Sequence, residues 1–168
     1  MPKAVRLFVR YVEAVNRIVG RITMLLIFAM MGVLLYSSIM KTVAIPPLWT
    51  LEMAQFLMVG YFLLGGPYSM QLGEHVRMDL LYGAWSDRTK TQVDVITILF
   101  LIFYLALLLW GGLSSSSYAL QYGERSYSAW RPYMAPIKII MCIGIFMMLL
   151  QAIAMFIKDI AKLRGEEL

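Results

Sequence analysis

Four long stretches of this chain carry no acidic or basic residue: Ile22–Met40, Met53–Gly73, Val95–Gly123 and Ile139–Ile157, of 19, 21, 29 and 19 residues. A bilayer's hydrocarbon core is roughly 30 Å thick and a helix rises about 1.5 Å per residue, so about 20 apolar residues cross it. The pattern predicts an all-α membrane protein with four transmembrane helices. These runs take up 88 of 168 residues, which leaves no room for a sizeable extramembrane domain, and a single domain over 1–168 is expected. The first run is too long for the apolar part of a signal peptide, and no small-residue cleavage pattern follows Met40.

The empty cores also exclude chemistry. A protein that conducts ions or protons by itself usually keeps an ionisable group within the membrane, and these runs have none. His75 is the only histidine and Cys142 the only cysteine. Bis-histidine haem ligation, a redox cysteine pair and a zinc cage are therefore out of reach, and no cofactor or metal is expected. The net charge of +5 does not indicate nucleic acid, because the basic residues flank the apolar runs, where membrane topology and anionic lipids account for them.

Lysine and arginine set the expected orientation. With the N-terminus inside, eleven of the 15 basic residues lie on the cytoplasmic side: five ahead of the first run, three between the second and third, and three in the C-terminal tail. Both termini are expected to be cytoplasmic.

Within residues 3–21 the charges Lys3, Arg6, Arg10, Glu13, Arg17 and Arg21 fall in a strip about 80° wide, opposite a broad apolar face. This predicts an amphipathic helix in the headgroup plane, with Arg6, Arg10, Arg17 and Arg21 as interface anchors, or an arm packed on a partner's flank. Thr50 is placed to cap the second helix, with Glu52 in its first turn. Pro67 predicts a kink late in that helix, where Gly65 and Gly66 offer either close helix contact or a gate. A short interfacial segment is expected around Leu80–Trp85, and Ser86 or Asp87 is expected to cap the third helix. Gly112/Ser116 and Gly111/Ser115 are small-xxx-small pairs suited to tight packing, and the hydroxyls of Ser114–Ser117 either line a path or bond locally. The 29-residue run exceeds what a straight span needs, so it must tilt or project. The third connection, with Tyr127, Trp130, Arg131 and Tyr133, suits an aromatic belt and a binding hot spot equally.

The order of these signals resembles a known family: a short connection into a Glu-headed second helix (Glu52), then Gly65-Gly66, then Gly73 through Asp79, then an aromatic and basic connection from Tyr127 to Pro136. Across roughly residues 15–160 the chain is similar to the small membrane subunit, the Q subunit, of tripartite ATP-independent periplasmic (TRAP) transporters. Many members carry a tryptophan in the middle of the second helix; here Tyr61 keeps a ring but not the indole. The resemblance implies a bacterial inner-membrane subunit that is not an enzyme. It implies a large multi-span partner holding the sodium and substrate sites, and a periplasmic substrate-binding protein delivering an organic acid. It implies Glu52, Gly65, Gly66, Gly73, His75, Arg77 and Asp79 as candidate contacts with the large subunit or lipid, and Arg125, Trp130 and Arg131 as candidates for docking the binding protein. A membrane oxidoreductase subunit and a small self-assembling channel or exporter are the competing readings. The orientation is checked by a C-terminal fusion: a reporter active only in the cytoplasm should work there, and one active only in the periplasm should not.

Overall fold

The fold is described from a computed structural model, over residues 3–43, 45–73 and 85–165. Four long helices make up the described chain: α1 (Lys3–Val43), α2 (Thr50–Leu72), α3 (Asp87–Tyr122) and α4 (Ala135–Leu163). Three of them, α1, α3 and α4, are long and apolar enough to cross a membrane. The shorter α2 is diluted by Glu52, Gln55, Ser69 and the Gly65-Gly66-Pro67 step.

Packing sets a definite order. α2 and α4 form the middle, α1 lies along α2 and also touches α4, and α3 leans chiefly on α4. Burial follows that order: 39% of the most apolar stretch of α4 is buried, against 11% in α1 and 11% in α3. Large side chains such as Phe28, Phe100, Phe103 and Trp110 consequently face outward. In water such a surface would be untenable, whereas against lipid tails it costs nothing.

Lipid tails are as apolar as leucine, so the hydrophobic effect does not hold these helices together, and close packing with polar contacts must do so. At the α2–α4 crossing, a Cβ built on Gly144 would lie 2.9 Å from the carbonyl oxygen of Leu63. Leu63 is four residues before Pro67, whose missing N–H leaves that same carbonyl without its helical donor. α2 stays helical through Pro67 to Leu72, and the freed carbonyl meets the smallest residue of its neighbour. Gly20 does the same between α1 and α2, where a Cβ would fall 2.4 Å from Cβ of Tyr68. On the other side of α4, a Cβ on Gly112 would lie 3.1 Å from Sγ of Cys142, and Ser116 Oγ is 3.2 Å from that sulfur. The Gly112/Ser116 pair therefore makes the tight contact expected of it. Gly111 has open space instead.

Two buried polar contacts tie α1 to the rest. Asn16 Nδ2 donates to Gln151 Oε1 at 2.6 Å, and Thr50 Oγ1 donates to Ser37 Oγ at 2.9 Å. Beside the first, Val9 and Val12 pack with Ala154, Leu150 and Ile157 of α4, and Lys158 pairs with Glu13. The start of α1 thus adjoins the end of α4, and both described chain ends lie at one end of the bundle.

Several expectations change. The amphipathic stretch 3–21 is not a separate helix: α1 is helical without interruption over 41 residues, about 62 Å at roughly 1.5 Å each. Gly20 does not break it, since glycine inside a helix costs only about 1 kcal/mol and the contact with Tyr68 requires it. Of the expected apolar face, Val12 is covered by α4, as is Val9 beside that face, while Leu7, Tyr11 and Ile18 stay exposed. Thr50 does not cap α2, because its hydroxyl bonds Ser37 and the Pro47 carbonyl, and Trp49 precedes the helix without a side-chain cap. Glu52 does sit in the first turn. Ser86 caps α3, its Oγ accepting from the Thr89 N–H at 3.4 Å. The serine run bonds both ways, Ser117 Oγ to the Ser114 carbonyl and Ser116 across to Cys142. The expected interfacial segment before Trp85 falls on residues 80–84, outside the described ones.

The Asn16–Gln151 contact should behave as a buried polar pair. Gln151→Leu alone should destabilise the detergent-solubilised chain by about 1–2 kcal/mol, since Asn16 is left unpaired. The double variant Asn16→Leu/Gln151→Leu should recover part of that loss. Thermal unfolding of the four proteins in a double-mutant cycle measures it.

Candidate functional site

The third connection, Gly123 to Met134, is a built structure rather than a loose loop. α3 ends on Gly123 at φ 60, and the Glu124 N–H donates to the Ala119 carbonyl at 3.1 Å. The chain then doubles back. The Ser126 N–H donates to the Pro132 carbonyl and the Met134 N–H to the Glu124 carbonyl, both at 3.0 Å, with Arg125 and Tyr133 paired antiparallel. An N–H of Arg125 donates to the Tyr133 hydroxyl, and the guanidinium carbon lies 4.1 Å from the ring centroid. Lys138 of α4 pairs with Glu124.

The tip held up by this base contains Tyr127, Trp130 and Arg131. Tyr127 is fully exposed and Trp130 is partly so. Arg131 is the one non-glycine residue with positive φ, at 49°, among those described, and its N–H donates to Ser128 Oγ at 3.2 Å. A branched-free but bulky side chain in that conformation carries strain of order 1 kcal/mol or more. The two arginines of this connection therefore differ: Arg125 is engaged within the loop, while Arg131 is displayed by it.

A second surface lies along α3. Because α3 rests chiefly on α4, an open apolar groove of about 620 Å³ runs beside it, lined by Leu63, Tyr104, Leu108, Gly111, Ile145 and Met148 among others.

The remaining candidates separate by place. Glu52 is the one buried charged side chain among the described residues, and its Oε2 has no hydrogen-bond partner. Gly65 faces Thr23 of α1 and Gly66 faces Met148 of α4, so both serve contacts within the chain. Gly73 takes φ 72 to end α2, its N–H bonding back to Met70 and Ser69 carbonyls. His75, Arg77 and Asp79 lie outside the described residues. Arg6 and Arg10 line a pocket with Glu13 and Lys158, whereas Arg17 and Arg21 are exposed away from it. No group of three or more metal-ligating side chains occurs among the described residues.

Sequence comparison decides between the readings of this geometry. The family described as tripartite ATP-independent periplasmic transporters, DctQ component, matches residues 30–162. The chain belongs to the DctQ family. No curated protein and no solved structure matched it. As a DctQ component it is the small membrane subunit of a TRAP transporter, multi-pass and non-catalytic, and membership implies a large membrane subunit and a periplasmic binding protein as partners. The matched region takes in α2, α3, the third connection and nearly all of α4, but only the second part of α1.

Some contributors carry no signal in the sequence. Gly20 and Gly144 belong to no small-xxx-small pair, and Asn16 and Gln151 are 135 residues apart. Tyr127 reads as one ring of an aromatic belt until the hairpin sets it at the tip.

Proposed function

We propose that this DctQ chain braces the large subunit of a sodium-coupled organic-acid transporter, and that the tip of its third connection helps seat the binding protein. In this reading all four helices cross the membrane, α2 included, since it lies between two helices that are long and apolar enough to span. Both termini face the cytoplasm and the third connection faces the periplasm, in keeping with the distribution of lysine and arginine. The excess length of α3 then projects toward the periplasmic side.

The observation that carries the bracing role is the one-sided packing of α3. It offers Phe100, Phe103 and Trp110 outward and leaves a groove beside α4, while the contacts inside the chain are held by glycines and buried polar pairs. A rigid frame with an apolar flank suits a static support, and the ionisable groups of transport are left to the partner. Interface tips rich in tyrosine, tryptophan and arginine suit protein docking, and a rigid loop lowers the entropic cost of binding.

The two parts are tested separately. Gly111 faces open space, so Gly111→Trp should leave the chain's expression and stability near those of the parent while reducing co-purification of the large subunit at least about five-fold. Undiminished co-purification would remove the groove from the interface. The same assay reads His75→Ala and Asp79→Asn, proposed as further contacts, which should also weaken recovery. For docking, Arg131→Gly relieves the backbone and deletes the charge, so the loop should persist. The binding-protein concentration giving half-maximal uptake in proteoliposomes should rise roughly ten-fold. An unchanged curve would sink the docking role.

A further inference from the structure

Where the start of α1 meets the end of α4, a pocket of about 230 Å³ is lined by Arg6, Val9, Arg10, Glu13 and Lys158. Glu13 pairs with Lys158 and so neutralises one of the three cations. Arg6 and Arg10 are one helical turn apart on the same face, and among the described residues neither has an acidic partner. Asp159, the next acid along α4, does not line the pocket. Among the described residues the pocket therefore keeps two guanidinium groups without an acidic partner, beside a paired acid and a buried valine. Guanidinium forks match phosphate oxygens in geometry and charge.

The depth of the pocket is marked by α4. Lys158 is the first charged residue after the uncharged run Ile139–Ile157, so it stands where hydrocarbon gives way to headgroups. The contacts Glu13–Lys158 and Asn16–Gln151 fix the level of α1 against α4, which brings Arg6 and Arg10 to the headgroup layer or just beyond it. A basic pocket between membrane helices at this depth is a site for an anionic lipid headgroup.

We infer that this pocket binds the phosphate of an anionic phospholipid, held by Arg6 and Arg10, with the Glu13–Lys158 pair completing its polar lining. The site splits the four arginines expected to anchor the chain: Arg6 and Arg10 recognise one headgroup, while Arg17 and Arg21, farther along α1, do not line the pocket. It lies in the part of α1 outside the region matched by the family. The inference rests on α1 and α4 residing in a membrane, not on which face the termini occupy.

The test is native mass spectrometry of the full chain in detergent, supplied with dioleoylphosphatidylglycerol or dioleoylphosphatidylcholine. The parent should retain one phosphatidylglycerol in preference to phosphatidylcholine. Arg6→Gln/Arg10→Gln should lower that retention roughly ten-fold or more, while Arg17→Gln/Arg21→Gln should change it less than about two-fold. Glu13→Gln removes the acid facing the site and should raise retention, an outcome that loss of folding would not produce. Equal losses in both arginine pairs, no loss in either, or a loss in Glu13→Gln would overturn the assignment. Complete displacement of the lipid by millimolar glycerol phosphate or inorganic phosphate would reassign the pocket to a soluble anion and overturn the lipid. Failure of the parent to retain either lipid would also overturn the site, without touching the membrane residence that family membership supports.

Discussion

The approach of Gly144 to the backbone of Leu63 is the contact on which the bundle depends. In lipid there is no hydrophobic reward for helix association, so affinity comes from how near two backbones can come and from the polar groups they share. Pro67 frees the carbonyl of Leu63 and Gly144 leaves room beside it. A Cα–H near that carbonyl is a weak donor worth about 0.5–1 kcal/mol. The larger effect is geometric: α2 and α4 are drawn together, and α1 and α3 are hung on either side of that pair. Removing the glycine would push a methyl group into backbone, which cannot yield as a flexible side chain can.

From that centre the functional asymmetry follows. α1 is secured at two levels by Asn16–Gln151 and Ser37–Thr50, and α3 by Gly112 and Ser116 against Cys142. The inner contacts are small and polar, and the outer faces are large and apolar. A subunit built in this way keeps its own shape without a partner's help and still offers an apolar flank to one. That division suits the small component of a TRAP transporter.

The helices were legible because uncharged runs of this length have few alternatives in a membrane. Ser86 as a cap and Gly112/Ser116 as a contact were legible because both depend on local spacing. The merging of residues 3–21 into α1 was hidden by the change in charge pattern at Arg21, which ends the basic stretch but does not break the backbone. Asn16 and Gln151 were hidden because each is an ordinary polar residue until tertiary packing brings the two together. In the third connection, residue types suggested a binding surface, but only the fold separates the arginine that holds the loop from the one it displays. Glu52, Gly65 and Gly66 were expected as contacts with the large subunit or lipid, and the fold sets them against the chain's own helices.

The unbroken course of α1 has a mechanical consequence. Asn16 and Ser37 are 21 residues apart, about 32 Å along a helix, close to the roughly 30 Å thickness of a hydrocarbon core. The helix is thus pinned at two points about one hydrocarbon thickness apart, like a ruler clamped at two marks. When the surrounding membrane thins or thickens, α1 cannot slip along its neighbours without breaking a clamp. It must lean, and α2 and α4 must lean with it. Hydrophobic mismatch is then answered by tilt of the entire subunit, so lipid thickness becomes a setting for the angle at which this frame meets its partner.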